Sequence, residues 1–365
     1  MKLHMDLDCY FVSAERTRCQ YLKGKPVAVC KTGDRAIFSN ETHSAVITPP
    51  AGAFNSIFQL SREYMGYDKH SWKKEFMDES GKVHGIVIAK SYECKKFGIK
   101  TGTSIADALL LCPNIIIIPS DHLFYQTLSH KLLEYLQTKI PLLEQYSIDE
   151  FFGDIGGWIR DEDVPAFIKS LQSDITRIFD LPITIGASKS KWIAKLLTDR
   201  IKPYGTKVLY EREVSEYIKD ISVEEFCGVG SQTLRKLKSR GIHKIGDVHY
   251  VKDMFYSWGK SGRDLYSRMM GVDNEPITPY SDRKSIGISR NFPPIKDRVE
   301  IYRRVTILSR HLAFTINRLH LNPTTFYYKL RYEDYTKNKI SFTVDRVFNE
   351  SVSSPNPSTT SNLVF

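Results

Sequence analysis

The order of apolar and polar positions predicts a mixed α/β chain in its first two hundred residues. A first strand over about residues 2–9 leads into a helix from Val12 to Cys19 and a short strand from Pro26 to Cys30. Gly85 to Ala89 reads as a strand, followed by helices around 92–97 and 104–111. A strand at 115–118, a helix at 122–139 and a strand at 146–155 come next, then a helix at 164–179 and a strand at 182–187. The helix from Lys191 to Arg200 stops at Ile201-Lys202-Pro203-Tyr204-Gly205, because proline cannot continue it. Residues 212–272 read as a small helical region and Glu275 to Asp282 as a linker. Beyond it the pattern predicts a strand (284–290), a long helix (298–319) and two strands (325–333 and 339–348). The stretch from Ser351 to Asn362 is rich in Ser, Pro, Asn and Thr and reads as disordered.

Two places in this pattern carry charge where a strand should be apolar. Asp149 and Glu150 stand side by side in Gln145-Tyr146-Ser147-Ile148-Asp149-Glu150-Phe151-Phe152, and Asp6 and Asp8 stand in Leu3-His4-Met5-Asp6-Leu7-Asp8. An unpaired carboxylate buried in a strand is costly, and a divalent metal removes that cost. Asp6, Asp149 and Glu150, with the backbone carbonyl of Leu7, form a sufficient oxygen set for two Mg²⁺ ions, the arrangement that phosphoryl transfer uses. A period of two puts Asp6 and Asp8 on one face, so spacing leaves Asp8 open as a ligand. Either pair alone is equally consistent with structural carboxylates.

The remaining composition narrows the substrate. Net charge is +10, and from Arg283 to Glu350 there are 14 Lys and Arg against six Asp and Glu, a net of +8. A concentrated basic module suits a polyanion, nucleic acid before membrane. The N-terminus meets acids too early for a signal peptide, no apolar stretch approaches a membrane span, and six scattered cysteines suit reduced thiols. The expectation is a cytoplasmic protein. The turn Gly228-Val229-Gly230, with Arg235, Lys236, Lys238 and Arg240 after it, allows close backbone approach to phosphate. Tyr10 and Phe11 stand at a helix start, where backbone N–H groups bind phosphate and an aromatic can pack against a sugar, although core packing is the commoner fate of a Phe. Tyr92, Lys95 and Lys202 are candidate triphosphate contacts.

Seven segments, in order, resemble the Y-family (translesion) DNA polymerases of the DNA polymerase IV and UmuC-like type. They are Asp6-Leu7-Asp8-Cys9-Tyr10-Phe11, Lys23-Gly24-Lys25-Pro26-Val27, Ser91 to Gly98, Ser147-Ile148-Asp149-Glu150, Ile185 to Lys191, Ile201-Lys202-Pro203 and Arg283-Lys284-Ser285-Ile286-Gly287. The resemblance runs from Lys2 to about Phe348. It implies an α+β right-hand fold: a ferredoxin-like palm (1–9 and 121–205), small fingers (10–120), a helical thumb (206–274) with a helix-hairpin-helix at 227–242, a linker (275–283) and an α/β little finger (284–350), then a tail (351–365). It implies Asp6, Asp149 and Glu150 as catalytic and metal-binding acids, with Leu7 supplying its carbonyl to two Mg²⁺ ions. Cys9, Tyr10, Tyr92, Lys95 and Lys202 fall in the nucleotide site, with Phe11 as the steric gate. Gly228, Gly230, Arg235, Lys236, Arg283, Lys284 and Arg290 fall on DNA.

The resemblance further implies template-directed, low-fidelity synthesis from deoxynucleoside triphosphates on primer-template DNA in damage tolerance. The expected protein is a monomer of the bacterial nucleoid. Three departures stand out. Lys95 occupies a place where Arg is usual, about 45 extra residues lie between Cys30 and Tyr92 (an insertion at about 39–84), and the little finger looks truncated. The last residues, Ser361-Asn362-Leu363-Val364-Phe365, faintly resemble a peptide that binds a sliding clamp. An idle, DNA-binding scaffold and a nucleotide cyclase are the rival readings.

Overall fold

Lys2–Leu7 is the middle strand of a five-stranded sheet in the computed structural model, which describes residues 1–32, 36–38, 45–47, 58–60, 71–279, 285–292 and 294–344. The strand order is Thr206–Leu209, Ile183–Ser188, Lys2–Leu7, Glu150–Asp154, Leu142–Gln145. The first strand runs antiparallel to both neighbours, which sets Asp6 opposite Glu150 on one side and Thr184 on the other.

Alternation along the strand then sorts its side chains between two faces. Leu3, Met5 and Leu7 are fully buried against helices His122–Gln137 and Val164–Phe179, in a core that includes Leu132, Leu136, Ile168 and Ile175. His4 and Asp6 point the other way, beneath helix Lys191–Ile201. That helix comes close because Gly186 has no side chain. A Cβ there would lie 2.6 Å from the Ala194 carbonyl oxygen and from Thr198 Oγ1.

The same helix turns its other side, with Ile193, Leu196 and Leu197, into a second core. Helices Glu211–Ile218, Ser231–Lys238 and Lys260–Met269 supply the rest of it through Val214, Leu237 and Met269. A third core lies in the fingers. There, a sheet ordered Ile86–Lys90, Val27–Lys31, Ile116–Pro119 packs against helices Trp72–Phe76 and Ile105–Leu111. The C-terminal module pairs helix Arg298–Arg318 with the hairpin Thr325–Arg331 and Lys337–Thr343 over a small core of Ala313, Ile316 and Phe326.

Four sequence expectations need correction. The strand expected at 146–155 is the second half of a hairpin. Leu142–Gln145 pairs with Glu150–Asp154, and Asp149 lies in the connecting turn rather than inside a strand. The first helix starts at Tyr10 rather than Val12. Residues 285–290 form no strand, and 284 lies outside the described residues. Within 227–242 there is one helix, Ser231–Lys238, with 3-10 turns at Val223–Glu225 and Ile245–Val251 on either side. The expected insertion at 39–84 is only partly described. Its last part belongs to the fingers core, since Trp72 and Phe76 are buried there. The linker does not hang free at its start: Glu275 pairs with Arg268, its carbonyl accepts from Lys2 Nζ, and the Thr278 N–H donates to Glu144. The little finger shows one helix and two strands among the described residues. The tail at 351–365, with the clamp-like segment, lies outside them.

Candidate active site

Asp6 and Glu150 face each other across two hydrogen-bonded strands, so backbone register holds them together before any side-chain contact forms. Asp149 joins them through the hairpin turn. Its carbonyl accepts from the Leu7 N–H at 3.0 Å, which ties the turn to the end of the first strand. Ser147 shapes the turn: its hydroxyl donates to Asp149 Oδ1 at 2.6 Å and accepts from the Glu150 N–H at 3.1 Å.

Three carboxylates so close must be offset. Lys202 Nζ lies 2.6 Å from Asp6 Oδ2, and Lys195 Nζ pairs with Glu150 Oε1. Lys195 lies in helix Lys191–Ile201 and Lys202 at its exit, seven residues apart. Burial pushes the Asp6 carboxyl well above the usual range; Lys202 pulls against that, and the charges of Asp149 and Glu150 add to it. Asp149 is raised by burial as well, with the Ser147 hydroxyl opposing and Glu150 reinforcing. Burial lowers Lys202, but the Asp6 charge outweighs it and holds the ammonium above its ordinary value. The site thus stores like-charge repulsion that one further lysine, or a metal, would relieve.

The oxygen set suits a hard divalent cation. Asp6, Asp149 and Glu150 offer only carboxylate oxygens, and two of them are held by ammonium groups that a doubly charged ion could displace. Among the described residues, one donor atom each from His4, Asp6 and Glu150 lie within 4.8 Å of one another.

Asp8 is not part of this group. The strand ends at Leu7 and Cys9 takes a left-handed φ of 50°, so the two-residue period fails at Asp8. Its buried carboxylate accepts from Thr184 Oγ1 at 3.0 Å, from the Tyr204 N–H at 2.7 Å and from Tyr92 Oη at 3.1 Å. Asp8 therefore pins Tyr92, strand Ile183–Ser188 and the turn after Lys202 to one point.

The other expected residues divide. Phe11 is half-buried at the first turn of helix Tyr10–Arg18, stacked on Tyr125 at 4.6 Å with His122 at its edge. Tyr10 is core: it is buried, and its hydroxyl donates to the Tyr125 carbonyl at 2.5 Å. The half-buried Cys9 thiol is pushed up to about 11 by burial. Lys95 is exposed and lies over the Tyr92 ring at 4.1 Å. Gly228 (φ 98°) and Gly230 sit at the turn before helix Ser231–Lys238, and Arg235 and Lys236 are exposed on that helix. Arg290 donates to the Ser289 carbonyl at 2.9 Å. Arg283 and Lys284 lie outside the described residues.

Sequence reasoning passed over Lys195 and His4. His4 was within reach of simple periodicity, two residues from Asp6 on one strand face, whereas Lys195 lies in the helix seven residues before Lys202 at its extended exit.

Comparison with known proteins settles the family. Residues 67–199 match the impB/mucB/samB family and residues 283–363 match the impB/mucB/samB family C-terminal domain, together more than half of the chain. The chain belongs to the impB/mucB/samB family. DNA polymerase IV of Alkaliphilus oremlandii is 37% identical over 222 residues, which span 60% of this chain and 55% of that relative. DNA polymerase IV of Oceanobacillus iheyensis is 28% identical over 336 residues, 91% of this chain and 69% of that one. Among solved structures, a Y-family DNA polymerase chimera of Dbh and Dpo4 superposes with a TM-score of 0.72 at 19% identity, covering 96% of this chain and 89% of the chimera. DinB from Sulfolobus solfataricus gives a TM-score of 0.58 at the same identity. The impB/mucB/samB chain therefore has the Y-family polymerase fold. Asp6 lies before the first segment matched by the family model, so its place in the site rests on the strand register and the ion pair with Lys202.

Proposed function

We propose that this impB/mucB/samB chain is a template-directed DNA polymerase of the translesion type, extending a primer 3′-hydroxyl from deoxynucleoside triphosphates. The observation that carries the reading is the register that sets Asp6 opposite Glu150, with Asp149 in the adjoining turn. Relatives named DNA polymerase IV and neighbours described as ternary complexes of a DNA polymerase supply the substrate class.

On this reading Asp6, Asp149 and Glu150 hold two Mg²⁺ ions, with the Leu7 carbonyl completing the set. Ions held there would supply charge to lower the pKa of a primer hydroxyl and to offset the triphosphate. Lys202 exchanges its Asp6 partner for triphosphate oxygens, since its ammonium is already inside the site and stays charged. Tyr92 and Lys95 approach the phosphates from the fingers, Lys95 as a point charge rather than a fork. Phe11, held by its stack on Tyr125, presents a ring where a ribose 2′-hydroxyl would enter. Gly228, Gly230, Arg235 and Lys236, with the basic residues after 282, contact DNA phosphates without reading sequence. The protein acts as a monomer in the bacterial cytoplasm. Among the described residues no helix is long and apolar enough to cross a membrane.

Primer extension with purified protein, Mg²⁺ and a damaged or intact template tests the reading. Incorporation is expected, and its loss in Asp149→Ala with DNA binding retained. A chain that binds DNA without extending it would instead be the scaffold.

A further inference from the structure

His4 lies in the pit between sheet and helix, and the polymerase reading leaves it without a task. It is fully buried, and among the described residues neither ring nitrogen has a hydrogen-bond partner. Buried polar atoms in folded proteins nearly always find a partner, so an orphaned imidazole calls for an explanation. Packing alone is a poor one. The ring lies 4.6 Å from Phe152, tilted by 53°, a contact that a phenyl ring would make without leaving polar atoms unsatisfied. Its Nε2 points at Glu150, 3.7 Å from Oε1, too far for a hydrogen bond. A ring nitrogen of His4 and one oxygen each of Asp6 and Glu150 lie within 4.8 Å of one another, a spacing that one ion can span with small side-chain movements.

We infer that His4 supplies an imidazole nitrogen to the same cation site as Asp6 and Glu150, making it a mixed nitrogen–oxygen site that favours a transition-metal dication such as Mn²⁺ over Mg²⁺. The inference rests on the polymerase reading for the role of Asp6 and Glu150. Mg²⁺ takes oxygen ligands almost exclusively, whereas imidazole is a good ligand for borderline first-row ions. Lys195, whose ammonium pairs with Glu150, is the resident cation that the metal displaces, and its long side chain has room to swing aside. Because His4 comes from the strand centre, it is preset by the same register that sets Asp6.

Electron-spin-echo spectroscopy of the full chain with Mn²⁺ alone tests this directly. Wild-type protein is expected to show modulation from one directly bound ¹⁴N, which His4→Phe abolishes. His4→Phe is also expected to weaken Mn²⁺ binding about tenfold or more, by analogy with lost metal-site partners, and Mg²⁺ binding less than twofold. Bound Mn²⁺ without nitrogen modulation in the wild type overturns the inference and needs no variant to fold. Equal loss of Mg²⁺ and Mn²⁺ affinity in a His4→Phe protein of native circular dichroism overturns the selectivity. Mg²⁺-dependent primer extension separates the two readings. Extension without a nitrogen signal leaves the polymerase standing and removes His4, while a nitrogen signal without extension does the reverse.

Discussion

The two faces of one six-residue strand behave as different materials. Leu3, Met5 and Leu7 face a dry core between the sheet and two helices, where each buried side chain contributes about 1.5–3 kcal/mol. His4 and Asp6, one position along, lie on the face where the Asp6 and Glu150 carboxylates meet two ammonium groups beside the His4 imidazole. The apolar face holds the sheet; the polar face is tolerated because the apolar one is sufficient. The difference teaches where function sits: in the positions that relax the rule the neighbouring positions obey.

The sharpest way to break that contrast is to strip the polar face. Asp149→Ala or Glu150→Ala is expected to lower primer extension by at least about a hundredfold, the scale of losing a preorganised charge stabiliser, with DNA affinity by fluorescence anisotropy little changed. Retained extension would reduce the acids to strand-end ornaments. Met5→Ala should do the opposite, destabilising the protein by about 2–5 kcal/mol in urea titrations while sparing the chemistry of whatever remains folded. A loss under 1 kcal/mol would mean, on the same scale, that the apolar face does not carry the sheet.

Phe11→Ala, at the edge where the two materials meet, should raise ribonucleotide incorporation about tenfold or more relative to deoxynucleotides. Unchanged sugar selectivity rejects Phe11 as the gate. A subtler sharpening uses Asp149→Asn in metal-free buffer. It removes a carboxylate that burial and Glu150 both disfavour and keeps an acceptor for Ser147, so unfolding free energy should rise by about 0.5–2 kcal/mol. Equal or lower stability would show that the charges are already balanced by Lys195 and Lys202. The smallest effect lies farthest from the strand: Arg235→Ala or Lys236→Ala should lower the salt dependence of DNA binding by about one ion each, evenly across sequences.

Much of the fold was legible because its signals are local. Asp6 and Glu150 stood out as charges in apolar surroundings, and helices such as Val164–Phe179 showed a clean apolar stripe. The hairpin at Leu142–Asp154 was not legible, since Tyr146-Ser147-Ile148 carries enough apolar character to read as continuous strand. Asp8 was left open for a related reason. Period-two reasoning assumes a strand that continues, and here a left-handed residue, Cys9, ends it without a glycine to announce the turn. Tyr10 and Phe11 could not be told apart by type: both touch Tyr125, and helix phase, not composition, buries Tyr10 and leaves Phe11 half-buried.

By itself the sequence marked Asp6, Asp149 and Glu150 as candidates for metal-assisted phosphoryl chemistry, because charge in an apolar context is a property of neighbours along the chain. Only the tertiary structure decided who stands opposite whom. The register that pairs Asp6 with Glu150, the glycine at 186 that admits helix Lys191–Ile201, and the arrival of Lys195, Lys202 and His4 at the same pit depend on contacts between segments up to two hundred residues apart. No pattern of near neighbours encodes those distances. They follow from burying two apolar faces at once, and the charges meet where that burial leaves them.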